Sequence, residues 1–252
     1  MSGTAAETKV QRLRVGEYDV GLRTSGKEGP DIVLVHGIGA SARYFERLAA
    51  ELSAGARVHC LELPGHAGLP RPPEPLTMQG YADVVLQALR QAGIGRAHMV
   101  GHSMGGQVAV ETGISAPEMV SSLLLLGPTV NRAEHHAVLQ GMRLAQDTLR
   151  ERPALNRILF TDYLRAGPPW YLSTLRRMMD HRLEDRLALV SCPVAVVRGA
   201  RDPIVPPSWL LRLQDARPGI LIGEVPGAPH VLMWNRPAET AAWVHRMVEA
   251  GT

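Results

Sequence analysis

The sequence predicts an α/β protein: a mostly parallel, eight-stranded sheet covered by helices on both faces, with one helical segment inserted into it. Three observations predict it. Short continuous apolar runs such as Ile32-Val33-Leu34-Val35 recur along the chain, as buried parallel strands do. Segments of helical spacing separate them, the pattern left by crossover connections. From about Asn131 to Val190 the strand signal stops and only helical spacing remains.

The elements follow in order. Val10 to Arg23 alternates around Gly16-Glu17 and reads as a hairpin. Asp31 to His36 is a buried strand ended by Gly37. Ala42 to Leu52 is helical, with Phe45, Leu48, Ala49 and Leu52 on one face. Arg57 to Leu63 is the next strand, closed by Pro64-Gly65. A proline-rich loop, Leu69 to Pro75, leads to Thr77, which suits the cap of a helix running to Gln91. Arg96 to Val100 is a short strand, Gln107 to Thr112 opens a helix, and Val120 to Leu126 is another buried strand.

The inserted segment breaks at Pro153 and at Gly167-Pro168-Pro169. One part carries Val138, Met142, Ala145 and Leu149 on a face. The last carries Trp170, Leu175, Met178, Met179 and Leu183 at looser helical spacing. Strand logic resumes at Pro193 to Gly199, followed by a helix around Ser208 to Leu213, a strand over Ile220 to Val225 and a helix over Ala238 to Glu249. Residues 1–130 and 191–252 thus form one core, and residues 131–190 a helical cap.

Composition sets the bounds. An apolar content of 45% with 20% charged residues is that of a globular protein. The net charge of +3 is slight and no run of basic residues stands out, which argues against nucleic-acid or membrane-surface binding. Met1 to Lys9 lacks the apolar core of a signal peptide. Cys60 and Cys192 read as free thiols, and no metal-ligand spacing is present. The expectation is a cytoplasmic enzyme acting on a small molecule, with no metal, no cofactor, no nucleic acid and no membrane partner; the oligomeric state is left open.

The chemistry centres on Gly101-His102-Ser103-Met104-Gly105, a G-x-S-x-G stretch between a strand and a helix. A serine on such a turn is held in a strained backbone, and only glycines beside it let strand and helix approach. A glycine-rich turn carrying a serine by chance is the alternative. A serine hydroxyl needs a base, and the base an orienting carboxylate. Among ten histidines, His230 follows the last strand, and loops at the carboxyl ends of parallel strands gather around one crevice. Asp202 follows the Val194 to Arg198 strand directly; an Asx turn before Pro203 is its structural alternative. Glu224 would alternate into the sheet, and Asp185 ends the insertion. An oxyanion needs two N–H donors, for which Met104 and Ile38 are placed: one opens the helix, the other sits between Gly37 and Gly39. A plain glycine turn would explain the second loop equally well.

With these residues in view, the chain resembles the α/β-hydrolase fold superfamily, of the capped serine esterase type. The resemblance runs through His36-Gly37-Ile38-Gly39, Leu63-Pro64-Gly65-His66, Gly101 to Gly106, Gly199-Ala200-Arg201-Asp202 and His230. It implies Ser103 as nucleophile, His230 as base, Asp202 as orienting acid and the Ile38 and Met104 amides as oxyanion hole. It also implies supporting roles for His36 and His102 and a cap over 131–190. Glu62 and Asn235 depart from the family pattern, which more often has Asp and Glu there.

The implied activity is hydrolysis of small-to-medium carboxylic esters through an acyl-enzyme. Thioesters, lactones or a C–C bond are alternative targets for the same triad, and a receptor-like binding protein is the alternative outside catalysis. Met142, Trp170, Tyr171, Met178 and Met179 are candidate apolar lining, with cap packing as their other reading. Arg176-Arg177 in the insertion fits either an anionic substrate such as a half-ester or a solvated helix face.

Overall fold

The computed structural model describes residues 8–129, 146–148 and 150–252. Strands β1 (Lys9–Val15) and β2 (Tyr18–Ser25) form the hairpin, turning at Gly16 with φ 58°. β3 (Asp31–Val35), β4 (Arg57–Glu62), β5 (Ala97–His102), β6 (Val120–Leu126), β7 (Val194–Gly199) and β8 (Leu221–Val225) complete one eight-stranded sheet in the order β1-β2-β4-β3-β5-β6-β7-β8. β2 meets β1 and β4 antiparallel; every other pair is parallel. β5, β6 and β7 are buried throughout, as apolar strands covered on both faces must be.

Side-chain alternation divides the core in two. Val33, Val35, Met99, Leu123 and Leu125 face a layer built by α2 (Met78–Gln91) and α3 (Met104–Ser115). Ile32, Leu34, Val100, Leu124 and Leu126 face the opposite layer, built by α1 (Glu46–Leu52) and the C-terminal helix Pro237–Ala250. The Thr77 hydroxyl accepts the Gly80 N–H at 3.0 Å and so caps α2. The segment expected to be helical from Ala42 enters as a 3-10 turn, Ala42–Phe45, before α1 begins.

Between β6 and β7 come α4 (Pro153–Ala166), α5 (Pro168–Asp180) and α6 (Leu183–Leu187). Gly167, at φ 78°, separates α4 from α5. These helices lie over the carboxyl ends of the strands. The rings of Tyr163 and Tyr171 close on Gly39 after β3, and the Trp170 ring closes on Gly65 after β4, leaving no room for a Cβ at either glycine. Of the face expected to carry Val138, Met142, Ala145 and Leu149, all four residues lie outside the described ones. After β7 come α7 (Pro207–Ala216) and, beyond β8, α8 (Leu232–Asn235) and α9 (Pro237–Ala250). The one turn of α8 is too short to leave a periodic signature in the sequence.

Glu224 departs from the sequence reading. β8 is an edge strand, so Glu224 stays exposed and pairs with Arg198 instead of turning into the sheet. Cys60 is a buried free thiol, pushed up to about 12 by burial, and Cys192 is free and half-buried. Among the described residues no helix is long and apolar enough to cross a membrane.

Candidate active site

Ser103 stands between β5 and α3 with φ 54° and ψ −120°, a conformation that a side-chain-bearing residue enters only under constraint. The constraint is visible in its neighbours. A Cβ on Gly101 would overlap the Gly105 carbonyl, and one on Gly105 would overlap the Val35 carbonyl. Strand and helix therefore meet backbone to backbone, and the serine is left at the positive end of α3. Its hydroxyl is turned to Thr129 Oγ1 at 3.4 Å, and Thr129 in turn donates to Met178 Sδ at 3.7 Å.

Asp202 is held on all sides. Its Oδ1 accepts the N–H groups of Ile204 at 2.7 Å and Val205 at 3.2 Å, the Asx turn that was its structural alternative. Its Oδ2 bonds His230 Nδ1 at 2.7 Å. The turn thus immobilises the carboxylate that bonds the imidazole. Arg198 fastens the same loop, donating to the carbonyls of Asp202 at 3.0 Å and Val205 at 2.5 Å. Opposite, Gly127 at φ 52° leaves the space the ring occupies, since a Cβ there would stand 3.0 Å from His230 Nδ1.

Burial alone would depress the His230 imidazole. The Asp202 charge and hydrogen bond, with the charges of Asp147 and Glu151 behind them, outweigh it and lift the ring to about 9. With Nδ1 engaged by a carboxylate, which can only accept, the proton sits on Nδ1 and Nε2 is the nitrogen that titrates.

The two supporting histidines have fixed tautomers. His36 Nε2 receives the Leu63 N–H at 3.0 Å, so its Nδ1 carries the proton and donates to the Gly37 carbonyl at 2.8 Å. Burial, with the neighbouring His66, depresses His36 to about 3, which keeps it neutral. His102 Nε2 meets the His230 carbonyl at 3.1 Å and must donate, so its Nδ1 receives the Tyr44 hydroxyl at 2.9 Å. The Tyr44 oxygen then accepts the Gly37 N–H at 2.6 Å. One chain of hydrogen bonds thus ties the loop after β3 to the loop that carries His230.

Ser103 and His230 line a cavity of about 520 Å³ under the inserted helices, and Ile38, Tyr171, Leu175 and Met178 supply apolar wall. Tyr171 and Met178 therefore lie where the sequence reading put them. Trp170 and Met179 do not line it: they flank that face of α5 on opposite sides, where Trp170 covers Gly65 and Met179 packs into the core. Met142 lies outside the described residues. The arginines supply no lining either. Arg176 is exposed, and Arg177 borders a separate surface hollow with Glu111, Asp180 and Arg186.

The N–H of Met104, first residue of α3, is among the four that a helix leaves without an internal acceptor. Ile38 follows a Gly37 whose N–H is taken by Tyr44, and its own backbone turns at the cavity wall. Sequence reasoning missed Tyr44, Thr129, Asp147 and Glu151. No local pattern in the sequence marks any of them. Among the described residues no group of three or more His, Cys, Asp or Glu side chains is arranged to hold a metal ion.

Comparison with known proteins agrees with this architecture. The pimeloyl-[acyl-carrier protein] methyl ester esterase of Chromobacterium violaceum is 29% identical over 234 residues, covering 81% of this chain and 88% of that protein. The 2-(acetamidomethylene)succinate hydrolase of Mesorhizobium japonicum is 22% identical over 95% of both chains. In structure, the enol-lactonase from Burkholderia xenovorans LB400 matches with a TM-score of 0.82 over 95% of this chain and all (100%) of that one, at 19% identity. The model of the alpha/beta hydrolase family matches residues 32–243, which takes in the elbow, the Asp202 loop and His230, and the chain belongs to that family.

Proposed function

We propose that this hydrolase cleaves small-to-medium carboxylic esters through an acyl-enzyme, with Ser103 as nucleophile, His230 as base and Asp202 as orienting acid. The observation that carries the reading is the Asp202–His230 bond of 2.7 Å at the wall of the same cavity that holds a strained Ser103. In the first step the serine hydroxyl exchanges Thr129 for His230 Nε2 as its partner. Nε2 removes its proton as Oγ attacks the ester carbonyl, and the tetrahedral oxyanion is held by the Ile38 and Met104 N–H groups. The imidazolium returns the proton to the departing alcohol, leaving acyl-Ser103. Water, deprotonated by the same nitrogen, then releases the acid and restores the serine.

The inserted helices act as a cap, with residues 131–190 as its extent. Its apolar wall suits an acyl chain, and the methyl ester esterase among the relatives supports ester chemistry without fixing the acyl group. Ser103→Ala is expected to fold as the parent does and to lose at least about 10⁴-fold in kcat on p-nitrophenyl esters. A fluorophosphonate probe should label the parent once, at Ser103, and leave the variant untouched. Turnover retained by Ser103→Ala would defeat the assignment. Comparing kcat/KM across p-nitrophenyl acyl esters, half-esters, lactones and thioesters then ranks the substrate class.

A further inference from the structure

The inserted segment reaches the cavity with two acids that the mechanism above does not use. Asp147 and Glu151 stand four positions apart, both buried at 3% and 6% exposure, and both line the cavity. Asp147 Oδ1 accepts the backbone N–H of His230 itself at 3.0 Å. Glu151 Oε1 accepts the N–H of Val231 at 2.9 Å, while its Oε2 receives Asn235 Nδ2 at 2.5 Å. Asn235, one of the two departures from the family pattern, thus has its partner here.

A loop can be anchored by neutral acceptors, so two adjacent buried carboxylates demand another reason. Desolvation pushes Asp147 upward, and desolvation with the charge of Asp147 pushes Glu151 up to about 8. His230, through its charge and its N–H, is the main influence opposing this on Asp147, whereas Glu151 is opposed first by the Val231 N–H and the Asn235 side chain and then by the His230 charge. The groups facing that ring are Asp202 from the loop after β7, Asp147 and Glu151 from the insertion, and His102 from the end of β5. The His102 ring lies 4.7 Å from it, centroid to centroid, and burial holds it well below its usual range, so it adds no positive charge. Arg150, which donates to the Arg201 carbonyl at 2.7 Å, is the cation that bears on Asp147.

We infer that Asp147 and Glu151 are positioning residues for the base: they grip the backbone of the His230 loop from the inserted segment, and their charge sets the proton affinity of the imidazole jointly with Asp202. The inference rests on His230 being the base. Its consequence is that displacing the insertion both loosens the loop and makes the imidazole a weaker base.

Asp147→Asn keeps an oxygen for the His230 N–H and removes only the charge; Glu151→Gln does the same at Val231. The test is a ¹⁵N-histidine NMR titration of the full chain, with His230→Gln to assign the resonance. The His230 midpoint is expected to fall by about one pH unit in each variant and to stay at its parent value in Asp147→Glu. Glu151 is ionised above about 8, where His230 titrates, so its charge counts in that window. The acid limb of kcat/KM against pH should move down in step. A midpoint unmoved in the variants, with lowered thermal stability alone, overturns the inference and leaves two purely structural anchors. If one variant fails to fold, the other decides by the same readout. The titration needs no turnover, so loss of the ester-hydrolase reading would leave this result standing on its own.

Discussion

At the scale of single residues, the pH dependence of turnover follows from the state of His230. In the proposed mechanism the neutral ring is the base, and Asp202 together with Asp147 and Glu151 raises its proton affinity to about 9 against burial. kcat/KM is therefore expected to climb from pH 6 with unit slope and to level off only near pH 9, measured on a neutral p-nitrophenyl ester. A profile already flat at pH 7 would show that the carboxylates fail to hold the proton. Tyr44 offers a second test at this scale. Its hydroxyl donates to His102 and accepts from Gly37, so Tyr44→Phe leaves two buried partners unsatisfied. A stability loss of about 1–3 kcal/mol is expected, read by urea unfolding. kcat should fall as well, because Gly37 precedes the Ile38 amide assigned to the oxyanion.

At the scale of elements, the structure separates parts that support the fold from parts that shape the cavity. Thr77 caps α2 and is not among the residues that line the cavity. Thr77→Ala should lower stability by about 1 kcal/mol and leave kcat/KM where it was. Gly39 is the opposite case. It sits at φ 70° with no room for a Cβ, which would stand 2.6 Å from the Tyr163 ring. Gly39→Ala must displace either the loop after β3 or helix α4 above it. It should therefore raise KM and lower kcat together, more than its cost in stability would explain. Equal behaviour of the two variants in a steady-state assay would refute this division.

For the whole molecule, buried ionisable groups make stability and activity pull in opposite directions. His36 and His66 are depressed to about 3 and about 4, chiefly by burial. Below an unfolded value of 6.5 the unfolded chain binds protons that the fold refuses, so stability falls as pH drops through that window. On the alkaline side the signs reverse. Burial raises Glu151 from 4.5 to about 8, and the carboxylates raise His230 from 6.5 to about 9. The fold then holds protons that the unfolded chain has lost, so Glu151 takes stability away as pH rises from 4.5 to about 8, and His230 does so from 6.5 to about 9. Tm followed from pH 4 to 10 should peak near pH 6.5, below the pH of fastest turnover. Coincident optima would contradict the assignment of these burial effects.

What the sequence determined by itself was whatever depends on near neighbours. The apolar runs specified the strands, and the glycines around Ser103 required a strained turn because only they let β5 and α3 approach. Asp202 and His230 were legible since each follows a strand directly, and strand ends of a parallel sheet converge. Packing across long separations decided the rest. Tyr44 meets His102 across 58 positions, and Asp147 meets the His230 backbone across 83, and no local pattern encodes such pairs. The same holds for α5, where spacing gave an apolar face but not its direction. Tyr171 and Met178 turned to the cavity while Trp170 and Met179 turned to Gly65 and the core. Which side of an amphipathic helix meets a cavity depends on how the helix is seated, and that is a property of the assembled fold.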